Sequence, residues 1–183
     1  AALDQPHDID GSRYSTTGSI GLTLFPRHGT GVDDLLREAD TAMYRAKSAG
    51  RNRTAFFELE MQAEVEERLA IEQDLKDALR LDQFEVHAQS QVDHDGRETG
   101  AELLLRWRHP KRGMVSPLQF IPVAEASGLI MPLGQQVLRQ ACEALARLQH
   151  AGLDKTLSVN VSPRQFRGED FVQQVRSALA ETG

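Results

Sequence analysis

The 183 residues carry one cysteine, Cys142, a net charge of -6, and 40% hydrophobic and 26% charged side chains. One cysteine excludes an internal disulfide, and the negative balance argues against a general nucleic-acid binder, so a nucleotide ligand would need a local basic or metal-bearing site. No run approaches the ~20 apolar residues of a membrane span, and there is no signal peptide, so the expected compartment is the cytoplasm, reached by a protein anchored, if at all, through other regions. The length suits roughly one or two domains.

The opening "AALDQPHDIDG" and the closing "SALAETG" both read as cuts within a longer chain. "YSTTGSIGLTLFP" (14–26) is rich in β-formers bounded by turn residues and predicts a strand. In "GVDDLLREADTAMYRAKSAG", Val32, Leu35, Leu36, Ala39, Ala42, Met43 and Ala46 recur at helical spacing. Asp33 and Asp34 suit the first turn of that helix, and Gly50 suits the position past its end. "TAFF" (54–57) predicts a short strand. "ELEMQAEVEERLAIEQDLKDALRL" has no Gly or Pro and carries Val65, Leu69, Leu75 and Leu79. It reads as a long exposed helix joining two modules.

The second module starts with a strand, "FEVHAQSQVD" (84–93), a turn at Asp95-Gly96 and a second strand in "TGAELLLRW". Ser116-Pro117 is a helix start, with Ser as N-cap and Pro at the first helical position, and that helix should end near Gly128. "PLGQQVLRQACEALARLQHAG" predicts a longer amphipathic helix stopped by Gly152, "LSVNVSP" (157–163) a third strand, and "DFVQQVRSALAETG" a further helix. From the second strand onward, strands alternate with helices, which argues for βα units and a parallel sheet. No repeat or low-complexity segment stands out.

Side chains alternate faces along a strand. Glu102, Leu104 and Arg106 therefore share one face, opposite Ala101, Leu103, Leu105 and Trp107. Ser158, Asn160 and Ser162 likewise share a face, as do His87, Gln89 and Gln91. A parallel sheet covered on both sides should read nearly all apolar, so the polar faces point to a site at the strand ends, as in a barrel mouth. A carboxylate and an amide oxygen suit a hard divalent cation, and Arg106 suits a phosphate. From the pattern alone a second reading stays open, in which Glu102 and Arg106 form an internal ion pair and Asn160 is a hydrogen-bonding residue; Gln89 by itself carries little information. Cys142, among Val137, Leu138, Ala141 and Leu145, reads as a small core residue. His109 reads as structural, Trp107 as packed under a helix, and 111–113 as a solvated turn. The six histidines show no zinc spacing.

"GAELLLRWRHPKRGMVSPLQFIPVAEASGLIMPLGQQVLRQAC" followed by "LSVNVSPRQF" resembles the EAL domain of cyclic di-GMP phosphodiesterases. "SIGLTLFP" and "LLREADTAMYRAKSAGRNR" resemble the last third of a GGDEF, or diguanylate cyclase, domain. The resemblance implies an α/β organisation: the carboxy-terminal part of a GGDEF domain over 1–57, a connecting helix over 58–80, and over 81–183 the amino-terminal part of an EAL domain, an incomplete (β/α)8-type barrel with about three of its eight strands.

The resemblance further implies hydrolysis of cyclic di-GMP to pGpG with two Mg²⁺ or Mn²⁺ ions. Glu102 and Asn160 would be metal ligands, and Gln89 and Arg106 would contact the dinucleotide. Lys47 and Arg51, four apart, would face GTP phosphates in the GGDEF part. The catalytic groups proper, an Asp-Asp pair, a lysine and later glutamates, fall on later strands, so these 183 residues alone are expected to be inactive. EAL modules often dimerise, so a homodimer of the parent is a further expectation. The motif departs from the family at Leu103, where Glu-Ala-Leu becomes Glu102-Leu103-Leu104, and at Ala88-Gln89-Ser90, where the family has Tyr-Gln-Pro. Those departures keep a non-catalytic cyclic di-GMP receptor in view, and the GGDEF part keeps diguanylate cyclase activity in view.

Overall fold

The structure is a computed structural model that describes residues 6–26 and 31–182, which leaves "AALDQ" at the start of the opening stretch, residues 27–30 and the final glycine outside it. The chain forms two compact units, divided between Leu69 and Ala70.

In the first unit, β1 (His7–Ile9) and β2 (Ser12–Tyr14) form an antiparallel hairpin. Its turn is Asp10-Gly11, both with positive φ. That dipeptide favours a type I′ turn, whose twist matches the flanking strands. The single strand expected over 14–26 is instead split: β2 ends at Tyr14, and β3 is only Ile20–Leu22. Helix α1 (Val32–Ser48) follows, with Asp33 and Asp34 in its first turn. It ends in a Schellman arrangement: Arg51 N–H bonds Ala46 O and Gly50 N–H bonds Lys47 O, with Gly50 at φ 108°. β4 (Thr54–Phe56) then pairs parallel with β3. The two-stranded sheet packs on α1 so closely that a Cβ on Gly21 would collide with the backbone of Ala39 and Met43.

Helix α2 (Leu59–Arg80) runs from the first unit into the second. Only its first half matches the expected exposed connector. Ile71, Leu75 and Ala78 are buried in the core of the second unit, because the charged residues between them hide a 3–4-residue apolar spacing.

The second unit is built on a four-stranded sheet. β5 (Phe84–Val92) pairs antiparallel with β6 (Glu98–His109), which pairs antiparallel with the three-residue β7 (Gly113–Val115). Helices α3 (Pro117–Ser127) and α4 (Ile130–His150) follow, then β8 (Thr156–Val159), which pairs parallel with β6. A one-turn helix α5 (Pro163–Phe166) and α6 (Phe171–Thr182) close the unit. The parallel pairing expected between the second and third strands holds; β7 and α5 were not expected.

Ser116 caps α3 by accepting from Leu118 N–H, Pro117 opens the helix, and Gly128 ends it at φ 85°. The core lies on one side of the sheet, where Trp107, Phe120, Leu75 and Leu133 are almost wholly sealed from solvent. Trp107 meets Phe120 edge-on at 5.4 Å and donates from Nε1 to Gln83 Oε1. Cys142 is buried as expected, and burial pushes its thiol pKa up. His109 is structural: Nδ1 accepts the backbone N–H groups of Lys111 and Arg112, and Nε2 faces Asp74 on α2.

Candidate functional site on the uncovered face of the sheet

The residues of β6 alternate as the sequence indicates. Leu103 and Trp107 are buried toward the helices. Glu102 and Arg106 face the other way and are half-buried. The register then assembles a row across three strands: Gln89 lies directly opposite Glu102, and Glu102 directly opposite Ser158. Two residues past Ser158, and beyond the end of β8, Asn160 reaches back and donates from Nδ2 to Glu102 Oε1 at 2.6 Å.

Two local devices hold Asn160 there. At Gly100, paired with Thr156, a Cβ would run into the Thr156 carbonyl, so the missing side chain lets β8 dock on β6. Just after Asn160, Ser162 and Gln165 form a reciprocal capping box: Ser162 Oγ accepts from Gln165 N–H, and Gln165 Oε1 accepts from Ser162 N–H, both at 3.2 Å. The Gln165 amide is itself buried against Gly134 of α4, at a position where a Cβ would displace it. The chain leaving the strand is thereby fixed on both sides of the amide.

β7 and β8 both pair along the edge of β6 away from β5, at 107–109 and 100–103. Between them, residues 104–106 have no strand partner on that edge. A cavity of about 250 Å³ opens in the gap, lined by Leu104, Arg106, Ile121, Val137, Asn160 and Ser162. Its walls are mostly apolar, with Arg106, Asn160, Glu125, Ser162 and Gln165 supplying the polar groups.

Glu102 forms no ion pair with Arg106 among the described residues. Arg106 donates from Nη1 to the Leu105 carbonyl instead. Nor is Glu102 the buried carboxylate its apolar neighbours suggest: it is only half-buried, and among the described residues the most buried carboxylate is Glu38 on α1, which accepts from Thr23 Oγ1. With Oε1 engaged by Asn160 Nδ2, Glu102 Oε2 and, on the other arm of the amide, Asn160 Oδ1 have no protein partner among the described residues. This pair is the donor chemistry of a hard cation site. It is two donors and not a full set, since no cluster of three or more His, Cys, Asp or Glu suited to a metal occurs among the described residues.

The site face also carries residues that sequence reading passed over. Glu85 and Arg108 continue the alternation of β5 and β6 on this face. Glu85 Oε1 accepts from His87 Nε2 at 2.9 Å and from Arg108 Nη2 at 3.0 Å. Those two hydrogen bonds, His87's first, hold the Glu85 carboxyl below the usual carboxylate range. The signal was available: Glu85 precedes His87 by two, so it shares the face of His87 and Gln89.

Lys47 and Arg51 of the first unit are not on one helical face as their spacing suggested. Lys47 is in the last turn of α1, but Arg51 lies beyond the helix end, at φ 59°. The Schellman turn at Gly50 redirects the chain between them.

Residues 72–183 match the model of the EAL domain, and residues 1–53 match that of the diguanylate cyclase, GGDEF domain. The chain is 40% identical over 179 residues to the bifunctional diguanylate cyclase/cyclic di-GMP phosphodiesterase MucR of Pseudomonas aeruginosa, covering 97% of this chain and 26% of MucR. It is 37% identical to the cyclic di-GMP phosphodiesterase PdeR of Escherichia coli, covering 91% of this chain and 25% of PdeR. Among solved structures, a PaMucR phosphodiesterase in complex with c-di-GMP superposes with a TM-score of 0.60 at 38% identity, over 62% of this chain and 47% of that one. The chain thus spans about a quarter of the length of the relatives it matches.

Proposed function

Because this chain belongs to the EAL domain family, with a GGDEF segment ahead of the EAL residues, we propose that its protein hydrolyses cyclic di-GMP to linear pGpG. The observation that supports the reading is the Asn160–Glu102 contact, a 2.6 Å hydrogen bond from Asn160 Nδ2 to Glu102 Oε1 that brings an amide and a carboxylate side chain together on the uncovered face. Both fit Mg²⁺ or Mn²⁺, which take oxygen ligands from carboxylates and amides. A divalent cation held there would supply charge neutralisation at phosphate and an acidified water.

The chain's own residues do the rest of what this part of the site offers. Glu102 and Asn160 hold the cation, and the capping box at Ser162 keeps the amide in place. Arg106 presents a guanidinium to a phosphate of the dinucleotide. Gln89, directly across from Glu102, hydrogen-bonds the ligand from the antiparallel strand. Hydrolysis breaks one phosphorus–oxygen bond: the water oxygen adds to phosphorus, and the departing ribose oxygen takes a proton. Nothing in these 183 residues is assigned to that proton transfer, so turnover is expected of the longer protein and not of this chain alone. On the same reading, residues 1–57 are the end of the GGDEF part, 58–80 the connector and 81–183 the EAL part. Lys47 and Arg51 would approach the phosphates of GTP, and the parent would pair as a homodimer.

The test uses the full-length protein with cyclic di-GMP and Mg²⁺ or Mn²⁺, following pGpG by chromatography. Glu102→Ala should lower turnover about a hundredfold or more, roughly 2.7 kcal/mol of barrier. Retained turnover in that variant would remove Glu102 from its role. Tight binding of cyclic di-GMP with no pGpG from the unaltered protein would make it a receptor.

A further inference from the structure

Glu85 and Arg106 are direct cross-strand partners in the β5–β6 register. Directly opposed side chains have Cβ atoms roughly 4.5–5.5 Å apart, and opposite charges placed so attract each other. A simple sheet would pair these two. Instead, Glu85 reaches along the diagonal to Arg108 and back along its own strand to His87, and Arg106 turns to a backbone carbonyl.

We propose that Arg108 and His87 hold the Glu85 carboxylate off Arg106, and so keep the Arg106 guanidinium available to the phosphate of the bound dinucleotide. The inference rests on the cyclic di-GMP reading of this face. Both donors take Glu85 Oε1, and Glu85 forms no ion pair with Arg106 among the described residues, so the carboxylate is turned toward Arg108 and His87 and not toward the guanidinium directly opposite. Of the five N–H donors of a guanidinium, Arg106 commits one group to Leu105 O, and the rest have no protein partner among the described residues. Arg106 and Asn160 also line the same cavity, so a phosphate met by Arg106 there would lie on the side of the site that Asn160 borders. Arg108 is thus a positioning residue: it acts on the ligand through Glu85 and Arg106. The cluster is well exposed, with Arg108 at 69% and Glu85 at 39%, so Glu85 is free to switch partners once Arg108 is lost.

The experiment compares Arg106→Ala, Arg108→Met and the double variant Arg108→Met/Glu85→Gln in the full-length protein. Each is first checked for an unchanged melting curve. Affinity for cyclic di-GMP is read as KM with kcat where there is turnover, and as Kd where there is none. Arg108→Met should weaken affinity about tenfold, the scale of one charge-assisted hydrogen bond, with kcat held within about twofold. Glu85→Gln added to it should restore affinity, because the freed competitor has lost its charge. Unchanged affinity in Arg108→Met overturns the inference. So does a loss that persists in the double variant, which would make Arg108 a direct ligand contact. Arg106→Ala separates the two levels: if it leaves affinity untouched, the role of Arg106 and this inference fall together. If it weakens affinity while Arg108→Met does not, only the inference falls.

Discussion

The two compact units use the same ingredients, short strands and amphipathic helices, to different depth. In the second, three helices cover one face of a four-stranded sheet and seal Trp107, Phe120, Leu75 and Leu133. In the first, each sheet has two strands, and the apolar strand residues Ile20 and Phe56 each remain 53% exposed. Its buried residues among those described are Glu38, Ala42 and Ala46 on one stripe of α1, and Phe57 just after β4. The difference shows what a site needs beneath it. Glu102 and Arg106 stand on a strand whose other face is locked by a core, whereas Arg51 stands on a turn. A site must be held by packed neighbours to be precise, and among the described residues the second unit provides the larger set of them.

Removing the largest core side chain breaks the comparison most sharply. Trp107→Ala should cost about 3–5 kcal/mol in the second unit, seen as a large drop in denaturant midpoint. Gly100→Ala should cost about 2 kcal/mol by overpacking against the Thr156 carbonyl. It should also pull β8 off β6, so that the Asn160 side-chain amide resonances lose their hydrogen-bonded shift. Ser162→Ala removes one half of the capping box and should cost about 1 kcal/mol, with a further loosening at Asn160 visible in the same spectra. Smallest is Phe56→Ala in the first unit: for a side chain already half in water we expect below about 1 kcal/mol. A loss there as large as that of Trp107→Ala would mean the first unit has a core of its own.

Much of the second unit was legible because its rules are local. Ser116-Pro117 and Gly128 bracket α3 by backbone chemistry alone, and strict alternation in β6 placed Glu102 and Arg106 on one face, whereas β8 ends at Val159, short of the strand expected over 157–163, and Asn160 meets Glu102 from beyond it. The rest depended on contacts between distant segments. β7 is three residues long and exists because it hydrogen-bonds to β6, not because of its composition. The buried half of α2 is masked by charges that face solvent between Ile71, Leu75 and Ala78. Arg51 leaves the helical face because Gly50 takes a left-handed turn, which spacing arguments ignore. The assignment of Glu85 to Arg108 instead of Arg106 required the register and the side-chain geometry together. The β1–β2 hairpin is the exception, since Asp10-Gly11 is itself a turn signal.

The central claim is that Glu102 and Asn160 share one divalent cation. Crystals of the full-length protein soaked in Mn²⁺ and measured near the manganese absorption edge test it most directly. The account predicts anomalous density touching a carboxylate oxygen of Glu102 and the amide oxygen of Asn160 together, lost in Glu102→Ala. Bound manganese that contacts neither residue, or that persists unchanged in Glu102→Ala, would contradict it.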